Sequence, residues 1–217
     1  FTSKVTLPFP TLNTPFGDGI LNALEAQSNG SLSGTSGLST NVGVTVIVNV
    51  NGTPLAATVN ADGSWTLPLS SAVLQSLPDG VWPVTVTVTD SAQNVVTSAP
   101  QNIEILTHLL PTPTILQPFG DGLLSIAEAG AAQILTGTTG ITGAGQIVKV
   151  TVGTQILTAT VQDNGQWTVT APTGALSTIA NGAGKIHVQV TDHAGNSVGV
   201  DGNFTAMLTP PNPTINL

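Results

Sequence analysis

The sequence predicts an all-β protein built from two β-sandwich domains in tandem, on three observations. First, the composition forms strands: 40% of residues are hydrophobic, aliphatic residues predominate, and Thr is abundant. Twenty-four Gly and 15 Pro punctuate it as turn residues. Second, the chain repeats itself. Phe16-Gly17-Asp18-Gly19-Ile20-Leu21 returns as Phe119-Gly120-Asp121-Gly122-Leu123-Leu124, and Asp62-Gly63-Ser64-Trp65 returns as Asn164-Gly165-Gln166-Trp167. Asp79-Gly80 returns as Asn181-Gly182, and Thr89-Asp90 through Asn94 as Thr191-Asp192 through Asn196, every offset being 102 or 103 residues. Third, each copy reads as short alternating segments with a turn signal every 8–12 residues or so.

The elements of the first copy follow in order. Residues 42–50 alternate around Val44, Val46, Val48 and Val50 and end at Asn51-Gly52, a strong hairpin signal. Residues 55–60 form the next strand and turn at Ala61-Asp62-Gly63 into a strand over 65–69. Residues 72–77 suit a helical turn before the Pro78-Asp79-Gly80 break. Residues 81–89 place Val84, Val86 and Val88 on one face; 90–94 turn, and 95–105 form the last strand. About seven strands in about 100 residues is the immunoglobulin-like pattern, here without its Cys pair. The expected fold is therefore two tandem immunoglobulin-like β-sandwich domains in an extended head-to-tail array. Repeat 1 spans 8–108 and repeat 2 spans 109–210; 1–7 read as the end of a preceding repeat and 211–217 as the start of a following one. Trp65 and Trp167, one per repeat, are the expected core anchors. Another two-layer β-sandwich of similar size is the alternative fold.

Charge excludes several functions. Three Lys and no Arg stand against 11 acids, a net charge of −8, and only 6% of residues are charged. Three scattered lysines make no footprint for nucleic acid or for an anionic membrane. With no Cys, thiol chemistry, disulfides and Cys-ligated zinc are absent. Mean hydropathy is +0.32, yet no apolar run approaches a membrane helix.

With so few charges, the position of each acid is informative. Asp18/Asp121, Glu25/Glu128 and Asp90/Asp192 match between repeats. In a head-to-tail array, Asp18 and Glu25 belong to the exit end of repeat 1 and Asp192 to the entry end of repeat 2. Three converging carboxylates repel unless a cation joins them. Ca²⁺, with 6–8 flexible oxygen ligands, suits such a junction. Asp90, Asp121 and Glu128 would be half-sites toward neighbouring repeats. A second reading stands beside this one. Asn22-x-x-Glu25 and Ser125-x-x-Glu128 are also capping-box sequences, and Asp18, Asp121, Asp90 and Asp192 are also good turn formers. Asp62, Asp79 and Asp163 read as hairpin residues, and Glu104 and Asp201 as solvated. His193 beside Asp192 is the sequence's near acid–histidine pair, but adjacent turn residues seldom orient each other for nucleophile activation.

These motifs at this spacing, from Gly17 to Ala26, Asp62 to Trp65, Leu77 to Gly80 and Val88 to Asn94, with their second copies, resemble the bacterial Ig-like repeats of giant biofilm-associated, type I-secreted surface adhesins. The resemblance covers nearly the whole chain. It implies non-enzymatic, extracellular modules held at the outer membrane, serving biofilm formation or host attachment, with Ca²⁺ stiffening the junctions. Their partners would be neighbouring repeats, other adhesin molecules, or a host or matrix surface. The chain departs in its linker, Leu106-Thr107-His108-Leu109-Leu110-Pro111, where the family often carries an acid. A carbohydrate-binding accessory module is the rival function. It would need an exposed aromatic platform, for which Trp82 is the candidate.

Overall fold

The computed structural model describes residues 6–143 and 145–210. The expected pieces of flanking repeats fall mostly outside these residues, 1–5 and 211–217 among the remainder. The chain divides into two units, Phe1–Leu109 and Leu110–Leu217.

Unit 1 carries β1 (Thr11–Leu12), β2 (Ile20–Asn22), a single 3₁₀ turn (Glu25–Gln27), β3 (Gly30–Thr35), β4 (Thr45–Val50), β5 (Thr53–Val59) and β6 (Ser64–Leu69). Helix α1 (Ser71–Ser76), β7 (Gly80–Thr89), β8 (Val95–Thr97) and β9 (Gln101–Leu106) complete it. Unit 2 repeats the order: β10 (Thr114–Ile115), β11 (Leu123–Ser125), α2 (Ile126–Gly130), β12 (Gln133–Thr138), β13 (Ile147–Val152), β14 (Gln155–Val161), β15 (Gln166–Ala171), β16 (Gly182–Thr191) and β17 (Ser197–Met207).

Each unit is an Ig-like sandwich of two curled sheets. In unit 1 the order runs β1-β3-β6-β5-β4-β7-β9-β2, and unit 2 gives the equivalent β10-β12-β15-β14-β13-β16-β17-β11. β5 joins the two layers by pairing β4 over its first part and β6 at Thr58 and Val59. All pairs are antiparallel except β2 with β9 and β11 with β17, which are parallel.

Period-2 alternation decides what is buried. Val46, Val48 and Val50 of β4 and Val84, Val86 and Val88 of β7 point inward. Trp65 and Trp167 are fully buried, one in each core. Each indole N–H donates to the carbonyl of the first strand's leading residue, Thr11 or Thr114, at 3.2 Å in both units. Glycine makes this possible. A Cβ on Gly34 would lie 1.9 Å from Thr11 O and 2.8 Å from Trp65 Cζ2; Gly137 has the same surroundings in unit 2. The Asn51-Gly52 hairpin takes positive φ at both residues, 47° and 87°, as a primed turn requires.

Two differences from expectation have local causes. β4 begins at Thr45 rather than Val42, because Gly43 turns with φ 66° beside Ser91. The last strand of unit 1 is split. Thr97 pairs Thr87 and Gln101 pairs Val84, so three residues ending at Pro100 face two, which is a β-bulge. In unit 2 the corresponding ladder runs unbroken from Gly182↔Ala206 to Thr191↔Ser197.

Candidate functional site

The six matched acids each sit in a turn built by their neighbours. Pro15 O accepts from Gly19 N–H at 2.8 Å, and within that turn Asp18 Oδ1 accepts from Ile20 N–H at 2.9 Å. Unit 2 repeats both bonds, Gly122 N–H to Pro118 O and Leu123 N–H to Asp121 Oδ1, each at 2.8 Å.

Glu25 Oε2 accepts from Asn22 N–H at 3.0 Å, while Asn22 Oδ1 accepts from Leu24 and Glu25 N–H at 2.9 Å. In unit 2 the exchange is a full capping box. Ser125 Oγ accepts from Glu128 N–H, and Glu128 Oε2 accepts from Ser125 N–H at 2.9 Å. The helical turns behind these caps are a single turn each, so the caps satisfy donors that such short elements leave open.

Asp90 is bound on both oxygens. Oδ1 accepts from Ala92 and Asn94 N–H at 2.8 and 2.9 Å, and Oδ2 from the Asn94 amide at 2.8 Å. The Asn94 side chain, then its backbone N–H, hold the Asp90 carboxyl below the ordinary range, with a smaller opposing effect of burial. Asp192 makes the same three bonds to Ala194 and Asn196 at 2.9 Å.

Within unit 1 these acids occupy opposite ends. β2 runs parallel to the end of β9, Asn22 pairing Leu106, so Asp18 and Glu25 lie where the chain leaves the unit. The Asp90 turn caps the far end of β7, at the opposite end from Gly80↔Ile105. Unit 2 has the same layout, with Ser125 pairing Met207. Among the described residues, no three His, Asp or Glu side chains gather closely enough to hold a metal. The donor set within each unit thus fits turn formation and not a metal cage.

Asp79, read as a hairpin residue, and Asp201, read as solvated, both have structural partners. Asp79 Oδ1 accepts from Thr107 N–H and faces His108 Nδ1, both at 2.8 Å, fastening the segment after β9. Burial raises the Asp79 carboxyl, but the bonds from His108 and Thr107 outweigh it and leave the group below its ordinary value. Asn181 does the same in unit 2 without charge, accepting from Leu208 N–H and donating to Thr209 Oγ1. The 102-residue match of Asp79 with Asn181 is the sequence signal for this clasp. Asp201, expected in solvent, bonds His187 Nδ1 at 2.7 Å and Lys185 Nζ at 3.0 Å from the adjacent strand. His187, then Lys185, hold its carboxyl below the ordinary range. Among the described residues, His108–Asp79 and His187–Asp201 form acid–histidine pairs.

Trp82 is half-buried against the first core, opposite Ile103. Unit 2 exchanges the sizes: Gly184 stands opposite Phe204, whose ring fills the space a Cβ on Gly184 would enter, at 2.3 Å. Phe204 packs edge-on to Phe119 at 5.2 Å. No described helix is long and apolar enough to cross a membrane.

Residues 21–107 match the family model of the bacterial Ig-like domain, which covers most of unit 1. No curated protein matches the chain. Among solved structures, the chain is similar to a 1.5-MDa bacterial ice-binding adhesin studied for host cell surface retention, with 28% identity over 93% of this chain and 65% of that one, TM-score 0.49. It is similar to a Ca²⁺-stabilized, ice-binding adhesin of an Antarctic bacterium, with 26% identity over 93% and 49%, TM-score 0.49. It also resembles the fibronectin(III)-like modules of Clostridium thermocellum CbhA, with 13% identity over 96% and 100%, TM-score 0.52, a likeness of fold alone. The chain spans about two thirds of the first adhesin structure and about half of the second. Residues 21–107 thus match the bacterial Ig-like domain, and unit 2 repeats the strand order of unit 1.

Proposed function

We propose that this bacterial Ig-like chain is a non-enzymatic, extracellular structural module: spacer repeats of a larger bacterial surface adhesin that serves biofilm formation or host attachment. One observation carries the reading. The residues that recur between repeats go into turns, caps and cores, and not into a shared cleft. Residues that recur for the sake of the fold suit a part whose work is mechanical. The motif resemblance to adhesin repeats and the bacterial Ig-like family model support the same reading. The proposed boundaries are 8–108 and 109–210, and neighbouring repeats are the proposed partners. The carbohydrate-binding alternative gains no support from the half-buried Trp82.

Small-angle scattering tests the spacer. At about 3.3 Å per residue, a sandwich with strands of about ten residues adds roughly 35–45 Å, so two in line reach about 70–90 Å. A compact scattering profile near the dimension of one folded globule of this length would overturn the reading.

Calcium is the finer part of the proposal, with Asp18, Glu25 and Asp192 as its ligands and Asp90, Asp121 and Glu128 as half-sites. At about ten times Kd, binding would add about 1.4 kcal/mol. Calorimetry in Ca²⁺ and in chelator, on the chain and its Asp18→Asn variant, measures this. A melting temperature unchanged by Ca²⁺ removes the metal and leaves the spacer.

A further inference from the structure

The last strand of unit 2 has an edge that no described strand pairs over most of its length. β11 pairs β17 only at Thr205, Ala206 and Met207. Among the described residues, no strand pairs the outer side of β17 from Ser197 to Phe204, a stretch of about 23 Å. Which residues face outward is fixed. Thr205 N–H donates to Gly122 O on the β11 side, and the ladder with β16 is unbroken, so Ser197, Gly199, Asp201 and Asn203 turn their N–H and C=O groups to the open edge.

Sheet edges of this kind are normally blunted by proline, bulges or charge. Unit 1 has two of these devices at the matching place, a bulge and Pro100. Unit 2 has neither: Ser197–Asn203 contains no Pro and no Lys. Its single charge, Asp201, is held by Lys185 and His187.

We propose that the open edge of β17 is a strand-addition site for β17 of a second copy of this chain, paired antiparallel about Val200. This register sets Gly199 against Asp201 of the second copy, and Ser197 against its Asn203. It keeps the two Asp201 carboxylates from facing each other directly, which a register centred one residue later would do. It also uses the His187 ring. That ring leans across Gly199, where a Cβ would lie 2.8 Å from Cε1 and 3.0 Å from Nε2. With Nδ1 on its own Asp201, the ring brings Nε2 over the residue that faces the second copy's Asp201. Each imidazole then lies between two carboxylates and, when protonated, can donate to both, Nδ1 to its own Asp201 and Nε2 to the second copy's, so the paired strands complement each other there although the chain carries −8 overall. The association depends on the β17 edge alone, so its absence would leave the spacer reading intact.

The protein has no cysteine, which permits a direct test of register. The Ser197→Cys chain and the Asn203→Cys chain are prepared separately, then mixed and oxidised. Residues exchanging both backbone bonds have Cα atoms about 5.5 Å apart, within disulfide reach. The mixture is expected to give a covalent dimer; either variant alone is expected to form no disulfide-linked dimer, since like positions lie about 20 Å apart. Sedimentation of the native chain should show a reversible dimer. Asn203→Pro, which removes an outward N–H and none of the ladder to β16, should weaken that dimer at least about tenfold. A native chain that stays monomeric at all concentrations, cross-linking in the single-variant samples, or a dimer indifferent to a folded Asn203→Pro chain would each overturn the proposal. Should Asn203→Pro fail to fold, the cysteine mixture decides.

Discussion

Gly34 and Gly137 sit where a tryptophan ring and a strand backbone meet, with no room for a methyl group on either side. Gly34→Ala or Gly137→Ala should each cost about 1–3 kcal/mol by overpacking, read as a fall in melting temperature. The two clasped acids carry a pH signature. The Asp79 and Asp201 carboxyls both lie below their ordinary value of 3.8. Their contribution is therefore present above that value and lost as pH falls through the lower, folded-state value. Asp201→Asn should flatten the acid-side loss of stability in unit 2, and Asp79→Asn that in unit 1, as followed by urea midpoints across an acid pH series. Equal acid sensitivity in variant and native chain would show that these bonds contribute nothing. The pairing of Asp201 was not legible in the sequence because it depends on register: Asp201 meets His187 only once 14 residues of hairpin are aligned. The buried tryptophans were legible, since one large residue returning per repeat in a strand-rich chain has few other places to go.

Among the elements, the β7–β9 and β16–β17 ladders show one packing problem solved twice. Trp82 opposite Ile103 and Gly184 opposite Phe204 place the large side chain on alternate strands. Gly184→Ala should destabilise unit 2 by about 1–3 kcal/mol, and the same change beside Phe204→Ile should cost measurably less. Additive losses in that double-mutant cycle would dismiss the exchange. The α2 cap is testable in the same way: Ser125→Ala should cost about 0.5–2 kcal/mol. The strands from β4 to β9 and their counterparts were readable from alternation, but β1, β2 and β3 and their counterparts β10, β11 and β12 were not. Gly30–Thr35 offers one buried aliphatic residue, Leu32, among Ser, Gly and Thr, so its pairing with β6 supplies what its own pattern does not. The capping and metal readings of Glu25 and Glu128 were equally available from spacing, because a carboxylate three residues after Asn or Ser serves either. The backbone N–H groups are the partners within the described units.

At the scale of the molecule, each unit holds a complete core of its own. The two buried clusters share no residue, one drawn from Phe119 to Ala206 and the other from Leu21 to Ile105. Calorimetry should therefore resolve into two transitions, with Gly34→Ala lowering one and Gly137→Ala the other. A single transition that both variants shift equally would show that the units unfold together. The tandem arrangement itself was plain from the repeat. What composition left hidden was how differently the two copies finish their last strand, since one extra residue and Pro100 barely alter an alignment yet change what an edge offers to other chains.

The placement of the indoles also equips this protein with an optical gauge. It has three tryptophans, and only Trp82 is a second one within its unit. Replacing Trp82 with phenylalanine leaves a single emitter sealed inside each half, Trp65 in one and Trp167 in the other. Substituting either of these in turn by phenylalanine would let the fluorescence of one half alone report pulling, heating or docking, with no dye attached.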